Sequence, residues 1–381
     1  MAHNNKKPGF TNKATSPASP AAKSSSNYSF TISEQKKQKK PSRIPSWVWV
    51  SITPIIIAAA GIYYLFMQNS EVLFMAQDRS FFSSDQSFLT QSLLQPDGLI
   101  CYVSSYLTQL FYNPMAGTLA LIAIWIATFF ISKKAFEVPS SLAGILAVPA
   151  AALIIGIVGV GYWLYYIKQP GYWFVGSVGY LASMVLVLIH RLLYCKNNSS
   201  TAFMSLRILW IILTAASFFY FGWFSLLALL YIAVNSYFLW RKTQGRKVID
   251  LITNTAIPVI AAAVTPLIAY NVFCEIRFEE IWTCGLPRFE QGLSDNTPIE
   301  LDPKQTTPYI VLAVLPLFLP ILSLFKNKVN AVISICVNIA VLVVLGLWIN
   351  AFEYTDYNFK AECRMYKATM DNDWDKVLSE M

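Results

Sequence analysis

The chain has 381 residues, of which 55% are hydrophobic and only 13% charged, with a net charge of +8. Soluble domains carry about 25% charged residues, so this composition excludes an ordinary water-soluble fold. The positive charge does not point to nucleic acid, because nine of the 29 Lys and Arg residues fall before residue 44 and most others sit in short junctions between apolar runs, as topology signals do.

Residues 1–46 are rich in Ser, Ala, Asn, Lys and Pro and are expected to form a disordered, basic cytoplasmic tail. Lys36, Lys37, Lys39, Lys40 and Arg43 hold it on the cytoplasmic side and give it affinity for anionic lipid. The apolar run 47–67 is longer than a signal-peptide core and reads as an uncleaved first span. Eight further spans are predicted at 114–132, 142–167, 172–193, 203–219, 222–240, 250–272, 308–325 and 329–350, each near the ~20 residues that a bilayer requires. The fold class is therefore all-α: a polytopic transmembrane helical protein of about nine spans, with its transmembrane domain over residues 47–351. The pair 203–219 and 222–240 needs a tight reversal at Tyr220-Phe221-Gly222.

Lys133/Lys134, Arg191/Lys196, Arg241/Lys242/Arg246/Lys247 and Lys326/Lys328 fall at alternate junctions. They place the N-terminus in the cytoplasm and, with an odd number of spans, the C-terminus in the periplasm of a bacterial inner membrane. Trp47, Trp49, Tyr162, Trp163, Tyr172, Trp173, Trp240 and Trp348 lie near span ends, as an aromatic belt does. Gly156, Gly159 and Gly161 lie in an apolar span, where small residues favour close helix packing. Pro258 and Pro266 in the seventh span and Pro316 and Pro320 in the eighth predict kinks that could flank a lateral lipid cavity. No ionisable residue reaches the middle of a span; Arg207, Asp250, His190 and Glu353 sit at span ends. No CxxC, HExxH or phosphate-loop motif is present, so no metal is assigned and no cofactor specified.

Two outer segments are long. The first, 68–113, predicts helices at 71–82 and 86–94, a turn at Pro96-Asp97-Gly98, and a helix at 99–112. In the last of these Leu99, Tyr102, Val103, Tyr106, Leu110 and Phe111 share one side, opposite Ser104, Ser105, Thr108 and Gln109, as in an interfacial amphipathic helix. The second, 273–307, is acidic. Cys274 and Cys284 at its start are candidates for a disulfide in an oxidising compartment, which would contribute roughly 3 kcal/mol. After the last span, residues 352–381 predict helical faces at Phe359, Cys363, Tyr366, Met370 and at Trp374, Val377, Leu378, Met381, with Asp373 as N-cap. This is the pattern of an outer helical repeat starting without its partners.

The acids between the first two spans, Glu71, Asp78, Asp85 and Asp97, are the candidate chemistry, since a carboxylate at the membrane surface could act as a general base on a lipid-linked donor. Over residues 47–132 the order of short first helix, acidic outer loop, interfacial helix and second span resembles the start of C-type-fold membrane glycosyltransferases. That resemblance implies Asp78 or Asp85 as the catalytic acid, Glu71, Arg79 and Asp97 as substrate-binding residues, and a polyprenyl-linked sugar as substrate. The acidic pairs found in some of those families are absent.

A wider resemblance covers most of the chain. Pro96-Asp97-Gly98-Leu99-x-x-Tyr102, Tyr106-Leu107-x-Gln109-x-Phe111-Tyr112-x-Pro114 and the Trp374 helix resemble an uncharacterised family of bacterial multi-pass membrane proteins with C-terminal helical repeats. It implies further repeats after residue 381 and carries no known activity. Two functions follow for a cell-envelope protein: a glycosyltransferase-like domain, or a non-enzymatic membrane anchor whose outer repeats bind a periplasmic protein. An open groove holding Asp78 or Asp85 distinguishes the first from the second.

Overall fold

The computed structural model describes residues 47–196, 201–242, 248–273, 276–289, 303–325 and 330–381. The expected disordered tail lies outside the described residues, as do Cys274, Glu290, Asp295, Glu300 and Asp302. Among the described residues there is no named strand, and nine helices are long and apolar enough to cross a membrane. The chain is a polytopic transmembrane helical protein.

Helix α1 (Trp47–Gly61) runs through a π-helical stretch, Ile62–Met67, into α2 (Gln68–Asp78). The irregular turn bends at Asn69, whose φ of −135° is non-helical, and the Asn69 amide donates to the Tyr64 carbonyl at 2.7 Å. That bond satisfies a carbonyl the bend would otherwise leave open. The stretch Val48–Asp78 spans 31 residues, roughly 46 Å at ~1.5 Å per residue, so α2 stands beyond a hydrocarbon core of about 30 Å.

Helices α3 (Gln86–Ser92) and α4 (Gly98–Thr108) follow, and α4 tightens into a 3₁₀ turn at Gln109–Tyr112. Helix α5 (Pro114–Phe136) starts where Asn113 accepts from the Met115 N–H at 3.2 Å and Pro114 takes the first helical position, a combination that favours a helix start.

The third span opens as 3₁₀ turns, Ser140–Ala147, and continues as α6 (Val148–Val158). It ends there, short of the predicted residue 167, because the chain turns into a second 3₁₀ segment, Gly161–Tyr166. At its start Leu142 is non-helical, and Asn338 serves both groups freed nearby. Its amide donates to the Ser141 carbonyl at 2.6 Å, and its carbonyl accepts from the Gly144 N–H at 2.7 Å.

Helices α7 (Tyr172–Lys196), α8 (Thr201–Ala216), the one-turn α9 (Phe218–Phe221) and α10 (Trp223–Lys242) come next, with the predicted reversal at Gly222. Then follow α11 (Val248–Val272), α12 (Pro303–Leu322), α13 (Ala331–Phe352), α14 (Tyr357–Met370) and α15 (Trp374–Glu380). Asp373 caps α15 as predicted, accepting from the Lys376 N–H at 3.2 Å, and Asp356 caps α14.

Helix α6 is the buried centre: Pro149 to Val158 are all buried. Helices α7 and α10 pack on one another, α5 on α7, and α12 and α13 on α6. Helices α8, α11 and α13 turn Ile212, Ile260 and Leu347 outwards, as lipid-facing surfaces do. The proline-bearing α11 and α12 both pack on α10, while α11 also packs on α8 and α12 on α6. The larger space near α12 is not lined by α11: it has a volume of about 420 Å³ and is lined by Trp223, Leu286, Pro287, Tyr309, Ile310 and Ala313. Gly156 does not mark a tight helix crossing: a Cβ there would meet nothing within 4 Å.

Candidate functional site

The segments 68–113, 159–171, 217–223 and 276–289 and the pair α14–α15 meet at one end of the bundle, where every candidate residue of the first long loop lies.

Asp97 is the deepest of these acids, with none of its surface exposed. It sits at the N-terminus of α4, and one carboxylate oxygen accepts from Arg288 Nη2 at 2.8 Å. Arg288 also donates to the Gln95 side chain at 3.2 Å. Backbone bonds tie the same place together: the Gly222 N–H donates to the Pro96 carbonyl at 3.1 Å, the Trp223 N–H to the Cys284 carbonyl at 2.7 Å, and the Lys168 N–H to the Arg288 carbonyl at 2.9 Å.

Two glycines are required by this contact. A Cβ on Gly98 would lie 1.8 Å from the Ser92 carbonyl oxygen, and one on Gly222, whose φ is +54°, would lie 2.3 Å from the Cys284 carbonyl oxygen. The Pro-Asp-Gly segment is thus a clasp joining three separate segments of the chain. Asp97 is a structural ion-pair partner here and does not line either of the larger cavities of this end.

Cys101 and Cys284 are both buried beside the clasp. Burial first, then the Asp97 carboxylate, holds the Cys101 thiol well above its ordinary range. The same two causes push the Cys284 thiol up to about 12. Both are inert as thiolates at neutral pH. Burial lowers the Arg288 pKa, but Asp97 and its neighbours outweigh that and hold it above the ordinary arginine value. The Cys284 Sγ lies 3.3 Å from the Glu280 carbonyl; its expected disulfide partner, Cys274, is outside the described residues.

Asp78 closes a different contact. Its carboxylate accepts from the Tyr366 hydroxyl on α14, and that bond is the leading cause that raises the phenol's pKa, with burial second. Beside it the Tyr165 hydroxyl donates to Glu362, the Cys363 Sγ sits 3.6 Å from the Met75 sulfur, and Phe359 packs on Tyr162 at 5.1 Å between ring centroids. Glu71, on the half-buried side of α2, lies near enough to α14 to act on Cys363 and Arg364 electrostatically. Asp85 is exposed, and its carboxylate accepts from the Ser87 hydroxyl at the start of α3. Asp78 and Asp85 do not share a site.

A groove of about 290 Å³ runs between α2, α3 and residues 164–173. Its lining includes Arg79, Lys168 and Gln169 and none of the four candidate acids. The Arg79 guanidinium is held 4.3 Å from the centroid of the Tyr165 ring.

Helix α4 is amphipathic as its periodicity predicts, but it is mounted with its polar side inward. Ser104, Ser105 and Thr108 are buried, whereas Val103 and Tyr106 are exposed, as is Leu110 in the following 3₁₀ turn; Phe111, expected on the same apolar side, is instead buried. The small side chains let the helix lie close to α7, and the apolar side is left for the membrane interface.

The opposite end holds a cluster that sequence reading leaves scattered. Arg207 on α8 pairs with Asp250 on α11 at 3.2 Å, and its guanidinium lies 5.1 Å from the Tyr194 ring. His190 and Asn254 are buried in the same region. The basic residue of each predicted junction was visible; their convergence was not. Glu137 similarly gathers Arg191 and Lys242 at this end.

No curated protein and no solved structure matches the chain. A family model does, over residues 46–381, which includes the clasp, α4 and the α14–α15 pair. The chain belongs to the family described as a family of unknown function, DUF6057.

Proposed function

We propose that the chain is a membrane anchor that fixes its C-terminal helices to the outer surface of a bacterial inner membrane, where they hold a protein partner. One observation carries this reading: Asp78, the best-placed acid for catalysis, is engaged by Tyr366 of α14, and the neighbouring groove lacks both Asp78 and Asp85. A transferase acting on a polyprenyl-linked sugar needs one of these carboxylates facing a donor. An anchor needs α14 held, and ion pairs, sulfur contacts and aromatic contacts hold it. Helix α15 adds a bidentate Arg364–Glu380 pair at 2.8 Å and leaves Trp374, Leu378 and Met381 exposed, an apolar surface suited to a protein partner.

The test compares Asp78→Asn, Tyr366→Phe and the double variant in the full chain, reading hydrogen exchange over 357–370. Each single change removes one charge-assisted bond at a partly exposed site and should cost about 1 kcal/mol. The double variant should cost little more, since both act on one contact. If Asp78→Asn abolishes the cellular function of the gene while exchange in α14 is unchanged, the anchor reading fails and the catalytic one returns.

A further inference from the structure

We propose that the groove between α2, α3 and residues 164–173 binds the phosphate group of an anionic lipid. This does not rest on the anchor reading, since none of the residues lining the groove makes the hydrogen bonds or sulfur and ring contacts that hold α14.

The polar part of the groove is built from donors. Arg79, Lys168 and Ser80 line it, and among the described residues no carboxylate does. Asp78 and Glu362, on the α14 side of Arg79, accept from Tyr366 and Tyr165 and do not line the groove. Stacking on Tyr165 fixes the Arg79 guanidinium without consuming its N–H groups. Among the described residues no carboxylate forms a salt bridge with it. An arginine positioned this way presents a fork that matches phosphate oxygens.

The rest of the lining says that the anion belongs to an amphiphile. Phe81, Phe88, Leu164, Ile167 and Trp173 form the walls. Phe81 and Phe88 lie 5.5 Å apart and continue into Phe82, Tyr102 and Tyr106. Phe81 is 73% exposed. This aromatic strip leads from the cationic groove to the apolar outer side of α4, giving a hydrocarbon chain a surface to follow. At about 290 Å³ the groove is at the small end of ligand pockets, sized for a headgroup rather than a whole lipid.

The experiment uses the full chain in dodecyl maltoside micelles with fluorescent phosphatidylglycerol and phosphatidylcholine as probes, with inorganic phosphate and glycerol 3-phosphate as competitors. We expect phosphatidylglycerol to bind at least 10-fold more tightly than phosphatidylcholine. Arg79→Gln should remove most of that preference, and Lys168→Gln should weaken it several-fold. Lys376→Gln, on α15, should leave it intact. Because Arg79 also contacts Tyr165, Lys168→Gln keeps the test decisive if Arg79→Gln disturbs folding. Equal binding of the two lipids, or a preference that both variants preserve, overturns the site. Displacement by millimolar inorganic phosphate as effective as by the lipid itself overturns the assignment to a lipid and makes the groove a site for a free anion.

Discussion

Replacing Arg288 with Met should open the loop-rich end of the bundle. The Asp97 carboxylate is fully buried, and its second oxygen already has no partner among the described residues. Removing the guanidinium leaves an uncompensated buried charge, a change that costs 3–5 kcal/mol in buried pairs. The lower end of that range applies, because the Arg288 side chain is 34% exposed and water can enter from its side. A loss of about 3 kcal/mol corresponds to a roughly 150-fold increase in local opening. Asp97→Asn should cost less, about 1–2 kcal/mol, because it strands a partly exposed cation rather than a buried anion. The double variant Asp97→Asn/Arg288→Gln should be milder than Arg288→Met alone, since no buried charge is then left unpaired.

The assay is local, because opening of the clasp need not unfold the spans. Hydrogen exchange should accelerate together in 95–108, 217–224 and 276–289, the three segments that the clasp joins. Maleimide labelling of Cys101 and Cys284 should rise in parallel, as both thiols are buried beside the pair. If Arg288→Met leaves all three segments protected, or if the double variant is as damaging as the two single changes added, the pair is not what holds this end together.

Gly156→Ala should raise the thermal midpoint of the detergent-solubilised protein, because a Cβ there meets open space and alanine is about 0.8–1 kcal/mol better than glycine inside a helix. Asn338→Leu should lower it, since the Gly144 N–H would lose its acceptor inside the bundle and the Ser141 carbonyl would keep only the Ser334 hydroxyl of its two side-chain donors. The attachment of α15 should depend on pH. The hydrogen bond from Arg364, which leads, and its charge hold the Glu380 carboxyl below its ordinary value of 4.5. Its contribution is thus present above pH 4.5 and lost as pH falls through the lower folded value. Exchange over 374–381, corrected for intrinsic rate, should show that loss, and Arg364→Gln should abolish it. For topology, cysteines placed at Ser26 and Ser379 should label from opposite sides of the membrane; labelling of both from one side would refute the expected orientation.

The spans were legible because a bilayer imposes a length that a run of apolar residues either meets or does not. The reversal at Gly222 was legible for the same reason, since one helix over 203–240 would be too long for the membrane. The periodicity of α4 was visible too, but a periodicity gives no direction. In water the apolar side of such a helix faces the protein; at a membrane interface it faces out, so Ser104, Ser105 and Thr108 became the packing surface. The third span was overextended because Gly159 to Ile167 is apolar enough to read as its continuation, whereas the α-helix ends at Val158 and a 3₁₀ segment, Gly161–Tyr166, follows. The acids could not be assigned from sequence, because their partners are remote. Asp78 meets a tyrosine 288 positions away, and Asp97 an arginine 191 positions away.

That remoteness also indicates what the charges at the two ends do. An ion pair taken out of water is weakly stabilising at best, but it strongly penalises any arrangement that separates its members. Asp97 with Arg288 sets the first outer segment against the segment after α11, and Arg207 with Asp250 sets α8 against α11 at the opposite end. Helix α11 and the segment following it therefore carry one member of a buried pair at each end of the membrane. This matters for a helix whose apolar faces would pack in several registers against lipid and neighbours alike. Two prolines, Pro258 and Pro266, lie between these fixed points. The Arg207–Asp250 pair fixes the start of α11 and the Asp97–Arg288 pair fixes the segment beyond it, so the cavity beside Trp223 and Tyr309 keeps the wall formed by Thr283, Leu286 and Pro287.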